Sequence, residues 1–190
     1  MLKKDEVKSA FSRSDFLAMA DIGAEQGVFE QHESDIIANL LRFQQVRLED
    51  VMTPRTVVKS ASVDETIGEF FESHRDLQFS RVPLYEDKPD HVTGYFLKDK
   101  LLQAVADGRT DEPLEVLRRD LLTLKRDAPI VDALNRFLET REHIALVVDS
   151  FGGVAGVVTM EDVIETLLGV EIVDESDQTE DLQALARQNW

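Results

Sequence analysis

The chain has 190 residues, 43% of them hydrophobic, no cysteine and a formal net charge of −17. That length suits one compact domain or two small ones with a real core, and the lack of cysteine excludes a disulfide framework and thiolate chemistry. The charge argues against nucleic-acid backbones and anionic membrane surfaces as general partners, no run approaches the ~18 apolar residues of a membrane span, and the start, Met-Leu-Lys-Lys-Asp-Glu, is no signal peptide.

After a charged lead-in, Ser14 is predicted to cap a helix over residues 14–26, with Phe16, Leu17, Ala20 and Ala24 inward and Gly27 as its stop. Val28 and Phe29 then staple a second helix, residues 30–43, on which Ile36, Ile37, Leu40 and Leu41 recur at helical spacing. Both stripes read as packing surface, onto the following domain or onto a partner chain. Residues 48–55 form a helical turn broken by Pro54, and Thr56-Val57-Val58 is predicted as a short strand. A helix over 65–74 buries Ile67, Phe70 and Phe71, strands follow at 79–85 and 92–97, and a helix over 98–106 stops at Gly108.

From Glu112 the same order returns. Leu114-Glu115-Val116-Leu117 answers Leu48-Glu49-Asp50-Val51, residues 121–124 answer the first strand, and 131–140 answer the helix. In the hairpins, residues 81–84 match 145–148 and Gly94 matches Gly156, after which Leu101-Leu102 matches Val163-Ile164. Two copies of about sixty residues, each small for a core of its own, are expected to pack face to face about a pseudo-two-fold axis and to leave clefts between them. The expected plan is a helical linker at 1–45, a first repeat at 46–109, a second at 110–170 and an acidic tail at 171–190, in which Thr179 caps a short helix bearing Leu182, Leu185 and Ala186. The fold class is α/β, in the α+β sense, each unit running strand-helix-strand-strand-helix. The tail acids, Glu171 to Asp181, read as a solvated segment rather than a metal site.

The most informative stretch runs from His143 to Gly169. Two apolar runs at 144–148 and 154–158 flank a turn at 149–153, and a helix starts after Thr159. A strand feeding a helix N-terminus offers unpaired backbone N–H groups and a positive dipole end to an anion, with the Thr159 hydroxyl and Asp162 carboxylate nearby. The same threonine-x-x-acid pattern is a capping box, so both readings stand at this stage. His32, His74, His91 and His143 lack metal-ligand spacing, and Ser80, Ser150 and Ser176 lack a catalytic His and acid.

Val51-Met52-Thr53-Pro54-Arg55, Ser80-Arg81-Val82-Pro83-Leu84-Tyr85-Glu86, and Val147-Val148-Asp149 through Gly152-Gly153 to Thr159-Met160-Glu161-Asp162 together resemble a CBS-domain pair, or Bateman module, of the CorC/CNNM (haemolysin-like) magnesium and divalent-cation transport proteins. The resemblance spans Ser12 to about Asp181. It implies a soluble cytoplasmic portion of a longer protein, working at the cytoplasmic face of a membrane, pairing as a homodimer through its CBS domains and coupled to a membrane domain outside this sequence. A C-terminal FAD-binding-like domain common among such relatives is also outside it.

By the same resemblance, Gly156, Val157, Val158, Thr159 and Asp162 carry an adenine-nucleotide motif, for ATP or AMP. Asp162 would hold the ribose hydroxyls, Thr159 a phosphate or ribose oxygen, and Val157 would line the adenine slot. The other copy would close the cleft with Val58, Ser80, Arg81 and Pro83, with Arg81 matching phosphate geometry unless it is only an exposed strand-edge charge. Mg²⁺ would be recruited by Glu161 or by the triphosphate itself. In the first copy Leu97 and Lys100 stand at the Thr and Asp positions, so one nucleotide site per chain is expected. The implied function is regulatory, occupancy being passed to a transport domain through the helices before Arg47. The alternative is a nucleotide-independent dimerisation module. An enzyme such as a nucleotide hydrolase is the weakest reading, since no general base or nucleophile is placed.

Overall fold

Ser12 rather than Ser14 caps the first helix in the computed structural model, which describes residues 12–170. Asp15 decides this: Ser12 Oγ accepts from the Asp15 N–H at 3.2 Å while Asp15 Oδ2 accepts from the Ser12 N–H at 2.7 Å. Helices α1 (Arg13–Glu25) and α2 (Gln31–Phe43) pack as a hairpin. Ala20 and Phe43 are buried, but Phe16 is 49% exposed and Leu40 57%, so the expected inward faces are only partly covered. The predicted tail helix and the tail acids lie outside the described residues.

The remainder is α3 (Leu48–Val51), β1 (Thr53–Pro54), β2 (Ala61–Ser62), α4 (Ile67–Ser73), β3 (Arg81–Tyr85), β4 (Val92–Leu97) and α5 (Lys98–Ala106). A 3₁₀ turn (Leu114–Leu117) then leads to β5 (Leu122–Lys125), α6 (Ile130–Thr140), β6 (Ile144–Val148), β7 (Val154–Thr159) and α7 (Met160–Leu168). One sheet has the order β2-β3-β4 and the other β1-β7-β6-β5. β2 runs parallel to β3 and β5 to β6, and the hairpins β3–β4 and β6–β7 are antiparallel, with a register shift at Leu84/Tyr85 and at Val147/Val148. The repeat read from the sequence is therefore a repeat of topology. Thr56-Val57-Val58 is not a strand. Only Thr53 and Pro54 pair, with Val157 and Gly156, after which the chain turns and the Val57 N–H donates to the Pro54 carbonyl at 3.1 Å.

Strand alternation divides the apolar residues among three clusters. Val82, Leu84 and Phe96 point into a core with Ile67, Phe70 and Leu101, while Ala145, Val147 and Val158 point into another with Ile130, Phe137 and Val163. The intervening residues Tyr95, Ile144, Leu146 and Val157 form the seam where the two sheets face each other.

The lead-in segments are exchanged. Leu48, fully buried, sits in the second repeat's core, its N–H donating to the Ala128 carbonyl at 3.0 Å, and Leu114, also fully buried, sits in the first repeat's core with its N–H on the Glu65 carbonyl at 2.8 Å. Each repeat is thus completed by the segment that precedes the other. At the β1 crossing, a Cβ on Gly156 would fall 2.2 Å from the Thr53 carbonyl oxygen, too close for any side chain. Gly156→Ala is therefore expected to push β1 off β7 at a cost of roughly 1–3 kcal/mol, measured as a lower urea midpoint; an unchanged midpoint would contradict this packing.

Candidate functional site

An open cleft of about 400 Å³, its mouth included, lies between the two sheets. Val58, Pro83, Gly156 and Val157 line it, as the sequence reading placed them, together with Arg55, Ser60, Asp90 and Leu146, which that reading did not single out. Arg55 Nη1 pairs with Asp90 Oδ1 at 3.1 Å, joining the segment after β1 to the β3–β4 loop at this end of the cleft.

The polar candidates gather farther along the same strands. Thr159 is two residues beyond Val157 on one face of β7, hence about 7 Å on. Its hydroxyl accepts from the Asp162 N–H at 3.2 Å, and Asp162 Oδ2 accepts from the Thr159 N–H at 2.6 Å and from its hydroxyl at 2.7 Å. The capping box is real. It leaves Asp162 Oδ1 without a hydrogen bond among the described residues. Burial pushes the Asp162 carboxyl up to about 6, with Glu165 and Glu161 adding to the rise against the hydrogen bonds from Thr159.

Arg81 begins β3, and its side chain, 21% exposed, reaches across to the second repeat, so it is not an exposed edge charge. Its Nη2 donates to His143 Nδ1 at 3.3 Å and its Nη1 lies 3.8 Å from Glu161 Oε1. Arg81 thus reaches the first turn of α7, where the Asp162 carboxyl caps the helix N-terminus, beyond one end of the cleft. Ser80, by contrast, is exposed and does not line the cleft; its backbone carbonyl accepts from the Lys98 N–H at 2.9 Å.

The corresponding junction in the first repeat has no such chemistry. Leu97 precedes α5 with no side-chain cap, and the Lys100 ammonium donates to Gln103 Oε1 at 3.0 Å. Among the described residues no three His, Asp or Glu side chains converge as a metal centre. Arg55 and Asp90 escaped the sequence reading because they come from separate loops that only the exchanged topology brings together.

A family profile described as CBS domain matches residues 114–169. A structure of the CBS domain of the bacterial CNNM/CorC family Mg²⁺ transporter is 27% identical with a TM-score of 0.79, covering 86% of this chain and 99% of its own. Residues 114–169 are a CBS domain, and the chain as a whole is similar to CBS domains of the CNNM/CorC kind. Among curated proteins, this CBS chain is 35% identical over 169 residues to a UPF0053 protein of Synechocystis, covering 89% of itself and 49% of that relative. It is 26% identical over 181 residues to the magnesium and cobalt efflux protein CorC of Escherichia coli K12, covering 94% of itself and 62% of CorC. The chain thus spans about half to three-fifths of those relatives. The CNNM/CorC CBS domain in complex with ATP is also similar, at 27% identity and a TM-score of 0.69 over 73% of this chain and 98% of its own. No helix among the described residues is long and apolar enough to cross a membrane.

Proposed function

We propose that this chain is a regulatory module that binds one adenine nucleotide, ATP with Mg²⁺ or AMP, in the cleft between its repeats, and that it reports occupancy to a magnesium or divalent-cation transport domain at the cytoplasmic face of a membrane. The observation that carries this is that Arg81 reaches Glu161 in the first turn of α7, where the Asp162 carboxyl also sits, beyond one end of the cleft lined by Val58, Pro83 and Val157. The base lies against Val58, Pro83 and Val157, the ribose hydroxyls donate to Asp162 Oδ1, and the phosphates run to Arg81 and the Thr159 hydroxyl. Mg²⁺ arrives with the triphosphate, Glu161 lending an oxygen once phosphate takes its place on Arg81. The ATP complex of a relative at 27% identity supports the ligand class. Two arrangements of the repeats, or of a homodimer of such modules, that differ in nucleotide affinity supply the output through α1 and α2.

Thermal melts with ATP, ATP plus Mg²⁺, and AMP test this. Ligand at a hundred times its dissociation constant adds ~2.7 kcal/mol, roughly 5–10 °C for a chain of this size. Arg81→Ala is expected to weaken ATP by roughly tenfold while leaving adenosine nearly unchanged. No shift with any nucleotide in folded protein would leave Thr159 and Asp162 as caps and favour a nucleotide-independent dimerisation module.

A further inference from the structure

The pseudo-symmetry of the repeat gives residues of the cleft counterparts on the other sheet. Superposing the β3–β4 pairing, Arg81 opposite Leu97, on the β6–β7 pairing, Ile144 opposite Thr159, sets Leu97 against Thr159, Tyr95 against Val157 and Ile144 against Arg81, so that residues 81–84 answer 144–147, one position before the match read from the sequence. Three residues on from the Leu97 and Thr159 positions, Lys100 answers Asp162. Thr159, Asp162 and Arg81 thus have apolar or oppositely charged counterparts, although Asp99 answers Glu161. Where the small Val157 side chain borders open space, Tyr95 is 2% exposed and packs with Ile144, Leu146 and Val157.

The phenol is also tied down. Its hydroxyl donates to Glu142 and accepts from Arg119 Nε at 3.0 Å, Arg119 Nη2 reaches Glu142 Oε1 at 3.0 Å, and the guanidinium carbon lies 5.7 Å from the ring centroid. Glu142 leads into β6 of the second repeat, whereas Arg119 bridges to Tyr95 on the first repeat's sheet. In this hydrogen-bonded seam the Arg119 and Glu142 side chains are 47% and 22% exposed, against 55% and 60% for the Arg55–Asp90 pair at the opposite cleft.

We propose that Tyr95 is a built-in occupant of the second cleft, its ring lying where the repeat would otherwise leave a slot for a planar ligand, latched there by Arg119 and Glu142. The module then has one open cleft and one fixed seam. This goes beyond the one-site reading above and does not depend on it.

The test is to empty the slot. Tyr95→Ala in the full chain, alone and combined with Asp162→Asn, is melted with millimolar adenosine and with p-cresol, beside the wild type. The expected result is a rise of roughly 3 °C or more beyond any wild-type shift, retained in the double variant. A folded Tyr95→Ala that gains nothing from either probe overturns the proposal. Should that variant fail to fold, Tyr95→Val, which copies the second repeat, is expected to bind one more adenosine per chain than the wild type by calorimetry, and an equal stoichiometry overturns it. A wild type that ignores all nucleotides while Tyr95→Ala responds would sink the nucleotide reading alone.

Discussion

Leu48→Ala should lower the unfolding free energy by about 3 kcal/mol, a large fraction of the 5–15 kcal/mol typical of a domain. Leu48 is fully buried among Phe137, Val158 and Val163, and its backbone N–H is held by the Ala128 carbonyl, so the surroundings have little freedom to close over the missing methyl groups. The loss should appear as a lower denaturant midpoint with unchanged slope. The location of the damage is the sharper readout. Because the segment is exchanged, amide exchange should accelerate in α6 and α7, eighty and more residues downstream, before α4 and α5. Leu114→Ala should show the reverse pattern, since that side chain completes the core containing Ile67, Phe70 and Leu101. Loosening of α4 and α5 by Leu48→Ala would mean that each lead-in serves its own repeat.

That exchange is what the sequence could not show. The order of strands and helices was legible because the hydrophobic period switches from two to helical spacing at Thr159 and again, with weaker polar marking, at Lys98. Leu48-Glu49-Asp50-Val51 reads as an amphipathic turn whichever core it enters, since local pattern carries no address. Thr56-Val57-Val58 has the composition of a strand, yet the pairing of Thr53 and Pro54 with β7 uses up the straight run and the chain turns at once. Thr159 and Asp162 were visible because capping and anion binding draw on the same local residue types. Arg81 was visible only through the family resemblance, because its approach to His143 and Glu161 spans 62 and 80 positions. Tyr95 lies within a predicted strand with nothing local to mark it, and its hydroxyl is held by Arg119 and Glu142, neither of them a sequence neighbour.

Nucleotide affinity is expected to rise as pH climbs from about 5 to about 7, by up to tenfold per unit below the free-state value of Asp162, which burial raises to about 6. Ribose hydroxyls donate to the carboxylate and not to the protonated acid, so binding draws the proton off and releases it to solvent. The stability of the unliganded fold runs the other way. A carboxyl raised from 3.8 to about 6 on folding favours the native state fully below 3.8, and that contribution is lost as pH rises to about 6. At ~1.4 kcal/mol per pH unit, the buried carboxylate costs at most ~3 kcal/mol at neutral pH. Asp162→Asn cannot ionise and keeps one oxygen for the Thr159 N–H, so it should flatten this pH dependence. It should also weaken nucleotide by roughly tenfold or more, with little pH dependence left. Titration calorimetry in buffers of differing ionisation heat measures proton release and affinity together. A wild-type affinity flat across this range, with no proton released, would remove Asp162 from the ligand and leave it only its place in the helix cap. Nucleotide would then have to be held by the cleft lining and Arg81, with the sugar unread.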